Sequence, residues 1–170
     1  MNIFLHDMNI SESIIGFLQK HKIDYKVCTH KPIYTVEDGI GIANEAGVKP
    51  MKCLLLGNRQ HKYYMLLIQG NESVNLRMVA DMIGSSRLSF AGTDVLEASL
   101  HTVPGAVSPM GLIFDISQQV ELVIDESVLQ CNKLMMALCV NDQSVIMETR
   151  NFINDFLPAS RHYDFQTIRI

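Results

Sequence analysis

Residues 104–111 read Pro104-Gly105-Ala106-Val107-Ser108-Pro109-Met110-Gly111, and they contain two of the five prolines and two of the ten glycines of the chain. Proline fixes φ and glycine permits positive φ, so this loop holds one backbone shape with little side-chain bulk over it. The small side chains leave peptide N–H groups open to the carbonyl or ester oxygen of a ligand. The alternative is a tight surface turn that only joins two elements.

The chain around this loop alternates between helix-like and strand-like segments. Ser11 is a plausible N-cap, and Thr35-Val36-Glu37-Asp38 has the pattern of a capping box. We predict helices at residues 11–21, 35–45, 75–84, 93–100, 126–131 and 149–157. We predict strands at residues 24–29, 52–56, 63–68, 88–90, 112–114, 120–124, 135–140, 144–147 and 165–170. Because these elements follow no regular β-α-β rhythm, we expect an α+β fold around a mixed sheet.

Length and charge limit the classes of function. The 170 residues are 48% hydrophobic and 19% charged, which predicts one packed domain spanning residues 1–170. The net charge of −4 argues against a protein that coats nucleic acid through many phosphate contacts. Contact with one end of an RNA remains compatible with this charge.

Several common sites are missing from the sequence. The four cysteines form no C-x-x-C pair, so we expect buried free thiols and no metal. There is no G-x-S-x-G, Walker loop, G-x-G-x-x-G or H-E-x-x-H motif, and no cofactor is expected. The longest apolar run, residues 134–140, has seven residues, whereas a membrane helix needs about 20. Residues 1–10 lack a signal-peptide pattern, so we expect a cytoplasmic protein.

Lys52 is the most informative charged residue. The four residues after it, Cys53-Leu54-Leu55-Leu56, are apolar, so it should lie at the mouth of a buried strand. A lysine there can bind a phosphate or carboxylate or polarise an ester. A strand-end lysine that only extends its ammonium group into solvent is the alternative.

Several segments, in this order and spacing, resemble the YbaK/prolyl-tRNA-synthetase-associated editing domain. The resemblance covers residues 11–157. The segments are Cys28-Thr29-His30-Lys31-Pro32, the capping box at residues 35–38, residues 52–56, residues 75–84, residues 88–91, Gly105-x-x-x-Pro109 and Asp125.

The resemblance implies a trans-editing hydrolase. Family members cleave the ester between a wrong amino acid and its tRNA, typically one with a small side chain such as Ala, Ser, Thr or Cys. It implies an α+β domain with a mixed, partly barrel-like sheet flanked by helices. The implied partner is the acceptor end of an aminoacyl-tRNA, with a synthetase or elongation factor delivering it, and neither a membrane nor DNA is implied.

The resemblance also implies which residues form the site. The loop would bind the ester carbonyl or the terminal ribose, Lys52 would neutralise the terminal phosphate or orient the substrate, and a loop hydroxyl would place the attacking water. The expected catalytic residues are Lys52, Gly105 and Ser108, and the expected substrate-binding residues are His30, Thr35, Cys53, Ala106, Val107 and Pro109.

Two positions depart from the alanine-clearing branch of that family. Cys53 stands where that branch has Asn, and Ala137 and Leu138 stand where it has a His-Pro pair. The stretch at residues 141–147 looks closer to branches that act on serine- or threonine-charged tRNA. These departures leave a second reading open, a non-catalytic module that binds an aminoacyl-tRNA or a synthetase. A thiol-dependent hydrolase using Cys53 is a third, although burial would raise the pKa of that thiol.

Overall fold

The computed structural model describes residues 9–170, whose strands form two open sheets. The strands are β1 (Lys26–Thr29), β2 (Met51–Gly57), β3 (Tyr63–Gln69), β4 (Ser89–Phe90), β5 (Val120–Asp125), β6 (Lys133–Ala137), β7 (Gln143–Glu148) and β8 (Phe165–Ile168). The helices are α1 (Ile10–Lys20), α2 (Val36–Glu45), α3 (Leu76–Ile83), α4 (Thr93–Leu100), α5 (Glu126–Leu129), α6 (Thr149–Asn151) and α7 (Leu157–Ala159). A 3₁₀ helix covers Pro109–Phe114, and a π-helical turn covers Phe152–Phe156 between α6 and α7.

The larger sheet is mixed and the smaller one is antiparallel. The larger has the strand order β4-β2-β3-β5-β8, in which the predicted strands β2 and β3 form an antiparallel hairpin and β5 pairs in parallel with both β3 and β8. The smaller has the order β1-β7-β6, with Ala137 opposite Ser144 in its register. The expected α+β class is confirmed, but the strands divide between two sheets and neither closes into a barrel.

Alternating side chains along the strands produce three apolar layers. The main core packs the inner faces of both sheets against α1 and α4, with Met65 and Phe152 among its fully buried members. The outer face of the larger sheet packs against α3, and the outer face of the smaller sheet packs against α2 through Ala43 and Met135. Strand periodicity therefore determines which residues of β2 and β6 can reach a site between the layers.

The capping residues in the sequence predicted most helix ends correctly. The capping box is present, with Thr35 Oγ1 accepting a hydrogen bond from the Asp38 N–H at 3.1 Å. Gly84 ends α3 in the left-handed conformation, at φ 68°. The N-cap of α1 is Asn9 and not Ser11, because the Asn9 side chain accepts the hydrogen bond from the Glu12 N–H.

The predicted strand at residues 112–114 is wrong, because this segment belongs to the 3₁₀ helix Pro109–Phe114. Ser108 caps that helix, and Pro109 occupies its first position, where its missing N–H costs nothing. The predicted strand at residues 135–140 ends at Ala137, and Cys139 beyond it has a φ of 60° that no strand accommodates.

Candidate active site

A cavity of about 490 Å³ opens where the edge strand β6, the start of β2, the N-terminal half of α2 and the 104–109 loop meet. Seven of the nine residues expected at the site border it: Thr35, Lys52, Cys53, Gly105, Val107, Ser108 and Pro109. The structure therefore brings Lys52 and the loop to one cavity, and it leaves His30 and Ala106 outside the lining.

The loop presents open backbone to the cavity at Gly105. Its φ is +89°, and a Cβ built there would meet no atom within 4 Å, so glycine serves the backbone conformation and not a lack of space. The Ala106 N–H donates to the Val103 carbonyl at 3.1 Å. Within residues 9–170, the N–H groups of Gly105, Val107 and Ser108 have no acceptor. Three peptide donors are thus free to bind an oxygen of a ligand.

Ser108 is buried and its side chain supports the loop. Its Oγ accepts a hydrogen bond from the Met110 N–H at 3.2 Å, which caps the 3₁₀ helix. No histidine or carboxylate within residues 9–170 lies within hydrogen-bond distance of this hydroxyl. The hydroxyl proton can orient a water molecule, but no base is in place to make Ser108 a nucleophile.

Ala106 lies behind the loop and not on the cavity. Its carbonyl accepts a hydrogen bond from Thr102 Oγ1 at 2.9 Å, and the residue is 1% exposed. The same hydroxyl lies 3.4 Å from the Cys139 carbonyl, so it links the loop to the turn between β6 and β7. The structure therefore places Ala106 outside the cavity lining, where its small side chain packs into the interior.

Lys52 lies at the cavity edge, near the beginning of β2. Its side chain is half-buried, and Nζ donates to the Glu72 carbonyl oxygen at 2.5 Å. An ammonium group has three N–H donors, so two remain for a ligand. This contact holds the amine in place, whereas the alternative prediction was a lysine that only extends its ammonium group into solvent.

Cys53 points to the other side of β2, against the main core. Burial raises the pKa of its thiol well above 9.0, and the neighbouring Cys139 raises it further. Burial also raises the pKa of Cys139 to about 12, although a hydrogen bond from Thr102 lowers it somewhat. Both thiols stay protonated near neutral pH, so Cys53 is an apolar wall and not an activated nucleophile.

His30 reaches the cavity only through Ser144. His30 Nε2 lies 2.9 Å from Ser144 Oγ, and Nδ1 lies 2.8 Å from the Lys31 carbonyl oxygen. Because a carbonyl only accepts, Nδ1 carries a proton and donates to it, while Nε2 is hydrogen-bonded to the Ser144 hydroxyl. Ser144 is 3% exposed and borders the cavity, so its oxygen lone pairs remain available there. No sequence pattern indicated this pair, because its members are 114 residues apart.

Thr35 borders the cavity while its hydroxyl serves the capping box. Asp38 completes the box by accepting the N–H groups of Tyr34 and Thr35, at 3.1 and 3.0 Å. These hydrogen bonds, first from Tyr34 and then from Thr35, lower the pKa of Asp38. The contribution of Thr35 is therefore to fix the start of α2 beside the cavity.

His101 does not border the cavity. It ends α4 with a φ of 51°, and its ring stacks on Phe114 at a centroid distance of 4.3 Å. Burial lowers the pKa of His101, and its Nδ1 has no hydrogen-bond partner within residues 9–170. A neutral ring in this position packs the 3₁₀ helix against α4.

Residues 9–170 contain neither a cluster of metal-binding side chains nor a helix suited to cross a membrane. That part of the chain contains no group of three or more His, Cys, Asp or Glu side chains that could bind a metal ion. None of its helices combines the length and the apolar character needed to cross a lipid bilayer.

Comparisons with known proteins identify the family and the fold of the chain. The family described as aminoacyl-tRNA editing domain matches residues 30–154. The chain is 34% identical over 141 residues to the prolyl-tRNA editing protein ProX of Acetoanaerobium sticklandii, covering 81% of this chain and 84% of that protein. It is 23% identical over 146 residues to the multifunctional Ser/Thr-tRNA deacylase ProXp-y of Escherichia coli (strain K12), covering 84% and 85%. A crystal structure assigned as a trans-editing enzyme for prolyl tRNA synthetase shares the fold, with a TM-score of 0.72 over 95% of this chain and 96% of that one, at 15% identity.

Proposed function

The chain belongs to the aminoacyl-tRNA editing domain family, and from that premise we propose that it hydrolyses the ester of a mischarged aminoacyl-tRNA. The expected amino acids have small side chains, such as Ala, Ser, Thr or Cys. The observation that carries this proposal is that Lys52 and the Gly105–Pro109 loop border one cavity. The relatives are named as an editing protein and a deacylase, which favours a catalytic role over a binding module.

The loop binds the ester carbonyl. In the transition state of ester hydrolysis, negative charge collects on this oxygen, and prearranged N–H donors stabilise it. The free N–H groups of Gly105, Val107 and Ser108 supply such donors at the cavity wall. The positive φ of Gly105 requires glycine, and the absence of a side chain leaves its backbone uncovered where it borders the cavity.

Lys52 holds the charged part of the substrate. The Glu72 carbonyl fixes its ammonium group, and the two remaining donors face the terminal phosphate or the ester. A point charge at the cavity edge orients the substrate, so its contribution is positioning and charge neutralisation.

The nucleophile is water. The water oxygen forms a bond to the carbonyl carbon, and the bond between that carbon and the ribose oxygen breaks. A proton from the water is transferred to the ribose oxygen. An aminoacyl ester is already activated, so no covalent intermediate is required. The Ser108 hydroxyl or a hydroxyl of the substrate orients the water, while the protonated Cys53 thiol takes no part.

The acidic chain grips only the acceptor end of the tRNA, and a synthetase or elongation factor delivers it. A net charge of −4 does not favour contacts along the whole tRNA. We place this activity in the cytoplasm, where aminoacyl-tRNA is made and used, and assign it to one domain spanning residues 1–170.

A panel of mischarged tRNAs tests the proposal. The purified protein is incubated with alanyl-, seryl-, threonyl- and cysteinyl-tRNA, and loss of the ester is followed over time. Lys52→Ala should lower kcat/KM for the preferred substrate at least about tenfold. Lys62→Ala, an exposed lysine in the β2–β3 hairpin outside the cavity, is the matched control and should leave it unchanged. If the protein deacylates none of the four tRNAs, the proposed function is wrong.

A further inference from the structure

Three large apolar side chains at the mouth of the cavity are exposed to solvent. Tyr34 is 81% exposed, Phe90 64% and Val36 51%, and all three border the cavity. Soluble proteins expose single apolar side chains widely, but a cluster around one opening marks a binding surface. We call Tyr34, Val36 and Phe90 the apolar rim.

Both aromatic rings of the rim are carried by hydrogen-bonded backbone. The Tyr34 N–H donates to Asp38 Oδ2 at 3.1 Å, so the capping box of α2 fixes this residue. Phe90 pairs with Leu56 across β2 and β4, and the Ala91 N–H donates to the Leu55 carbonyl at 2.9 Å. The rim therefore presents two flat apolar surfaces whose backbone is already ordered before a ligand arrives.

We propose that Tyr34 and Phe90 form a stacking platform for the unpaired bases at the 3′ end of the RNA whose ester enters the cavity. This inference rests on the proposed function, which places the ester inside the cavity and the preceding nucleotides at its mouth. Every base has a π-face, so aromatic side chains hold single-stranded RNA whatever its sequence.

The charge of the chain favours stacking as the means of holding the RNA. With a net charge of −4, the protein gains little from counterion release along a phosphate backbone. Stacking needs no net positive charge. Asp38, beside the rim, already accepts hydrogen bonds from the N–H groups of Tyr34 and Thr35.

The size of the rim argues against a second protein chain as its occupant. Two aromatic rings supply at most about 500 Å² of contact area. A stable protein complex buries about 800 Å² on each partner. The rim matches one or two bases better than a protein surface.

Binding of RNA tests the platform directly and does not depend on catalysis. The probe is a fluorescent single-stranded RNA ending in CCA, titrated with the protein while its anisotropy is followed. Tyr34→Ala and Phe90→Ala should each weaken binding about 5- to 100-fold. The slope of log Kd against log salt concentration should stay the same, because no phosphate contact is lost. Tyr34→Phe keeps the ring and should bind like the wild type.

Tyr163→Ala is the matched control, because this tyrosine is 63% exposed and does not border the cavity. It should leave RNA binding unchanged. With the preferred aminoacyl-tRNA, the two rim variants should raise KM by the same factor as Kd and keep kcat within about twofold. The exposed position of both rings predicts unchanged thermal stability.

Three results would overturn the platform. In the first, the rim variants bind the RNA as tightly as the wild type. In the second, they have a lower kcat with an unchanged KM. In the third, the wild type is a dimer and the rim variants are monomers. A wild type that binds the RNA through the rim but hydrolyses no aminoacyl-tRNA would contradict the proposed function and support the platform.

Discussion

His162 Nε2 lies 2.9 Å from Asp115 Oδ2, and both side chains are buried. His162 Nδ1 lies 2.6 Å from the Ser160 carbonyl oxygen and donates to it, so both ring nitrogens are hydrogen-bonded within the protein. Asp115 is the C-cap of the 3₁₀ helix that follows the cavity loop, and it also accepts the N–H groups of Gln119 and Val120. The pair thus ties the C-terminal segment to the helix behind the site.

This pair predicts a loss of stability in acid. Burial alone raises the pKa of Asp115, but the hydrogen bond from His162 and those from Val120 and Gln119 outweigh it and lower the pKa below 3.8. A carboxyl with a lowered folded-state pKa stabilises the fold above its unfolded-state pKa. That stability is lost as pH falls below about 4 and through the folded-state value.

Asp115→Asn should remove this acid dependence. It should also cost about 1–3 kcal/mol at pH 7, because it weakens the buried hydrogen bonds that the carboxylate accepts from His162, Gln119 and Val120. Urea unfolding at pH 7 and pH 3 measures both effects, with the exposed Asp164→Asn as control. If the wild type and Asp115→Asn lose the same amount of stability between pH 7 and pH 3, Asp115 is not the source of the acid dependence.

Gly105→Ala should strain the loop without creating a clash. A Cβ meets no atom within 4 Å, but φ is +89°, so we expect a loss of about 1–3 kcal/mol or a shift of the loop. The shift misaligns the N–H donors, and kcat/KM should fall at least about tenfold. Gly16→Ala lies in α1 with open space around it, and it should raise stability by about 0.5–1 kcal/mol with full activity. Equal activity of Gly105→Ala and Gly16→Ala would show that the loop conformation does not matter to catalysis.

Features set by neighbouring residues were predicted from the sequence, and features set by distant ones were not. The capping box at Thr35 and the end of α3 at Gly84 depend on a few adjacent residues, and both predictions are confirmed. The apolar triplet at residues 112–114 is compatible with a strand or a 3₁₀ helix. The helix forms here because the Ser108 side chain caps its first turn. The division of the strands into two sheets depends on pairings such as β1 with β7, which no local pattern encodes.

The residues of the candidate site also differ in how far they could be predicted from the sequence. The order of motifs predicted that Lys52 and the Gly105 loop belong together, and they border one cavity. Ser144 gave no signal, since its role depends on a hydrogen bond to His30 across the small sheet. Phe90 lies in a segment that the family resemblance included, but its exposure is visible only in three dimensions.

Ser144→Ala should change which amino acid is cleared. The Ser144 oxygen offers lone pairs to the cavity, so it can accept a hydrogen bond from the hydroxyl of a seryl or threonyl group. Loss of that bond should lower kcat/KM for seryl- and threonyl-tRNA about tenfold relative to alanyl-tRNA. Ser99→Ala, whose hydroxyl donates to the Val95 carbonyl outside the cavity, is the control. A uniform fall on all substrates would assign Ser144 a purely structural role.

Cys53→Ser should keep most of the activity. Burial holds the pKa of the Cys53 thiol well above 9.0, so almost no thiolate exists at pH 7.5. We expect kcat/KM for the preferred aminoacyl-tRNA within about threefold of the wild type, and slow reaction of this thiol with iodoacetamide. Activity should also show no rise between pH 7 and 9 that follows ionisation of a thiol. Loss of activity in Cys53→Ser with an intact fold, together with rapid alkylation of the wild type, would instead make Cys53 the nucleophile and exclude direct attack by water.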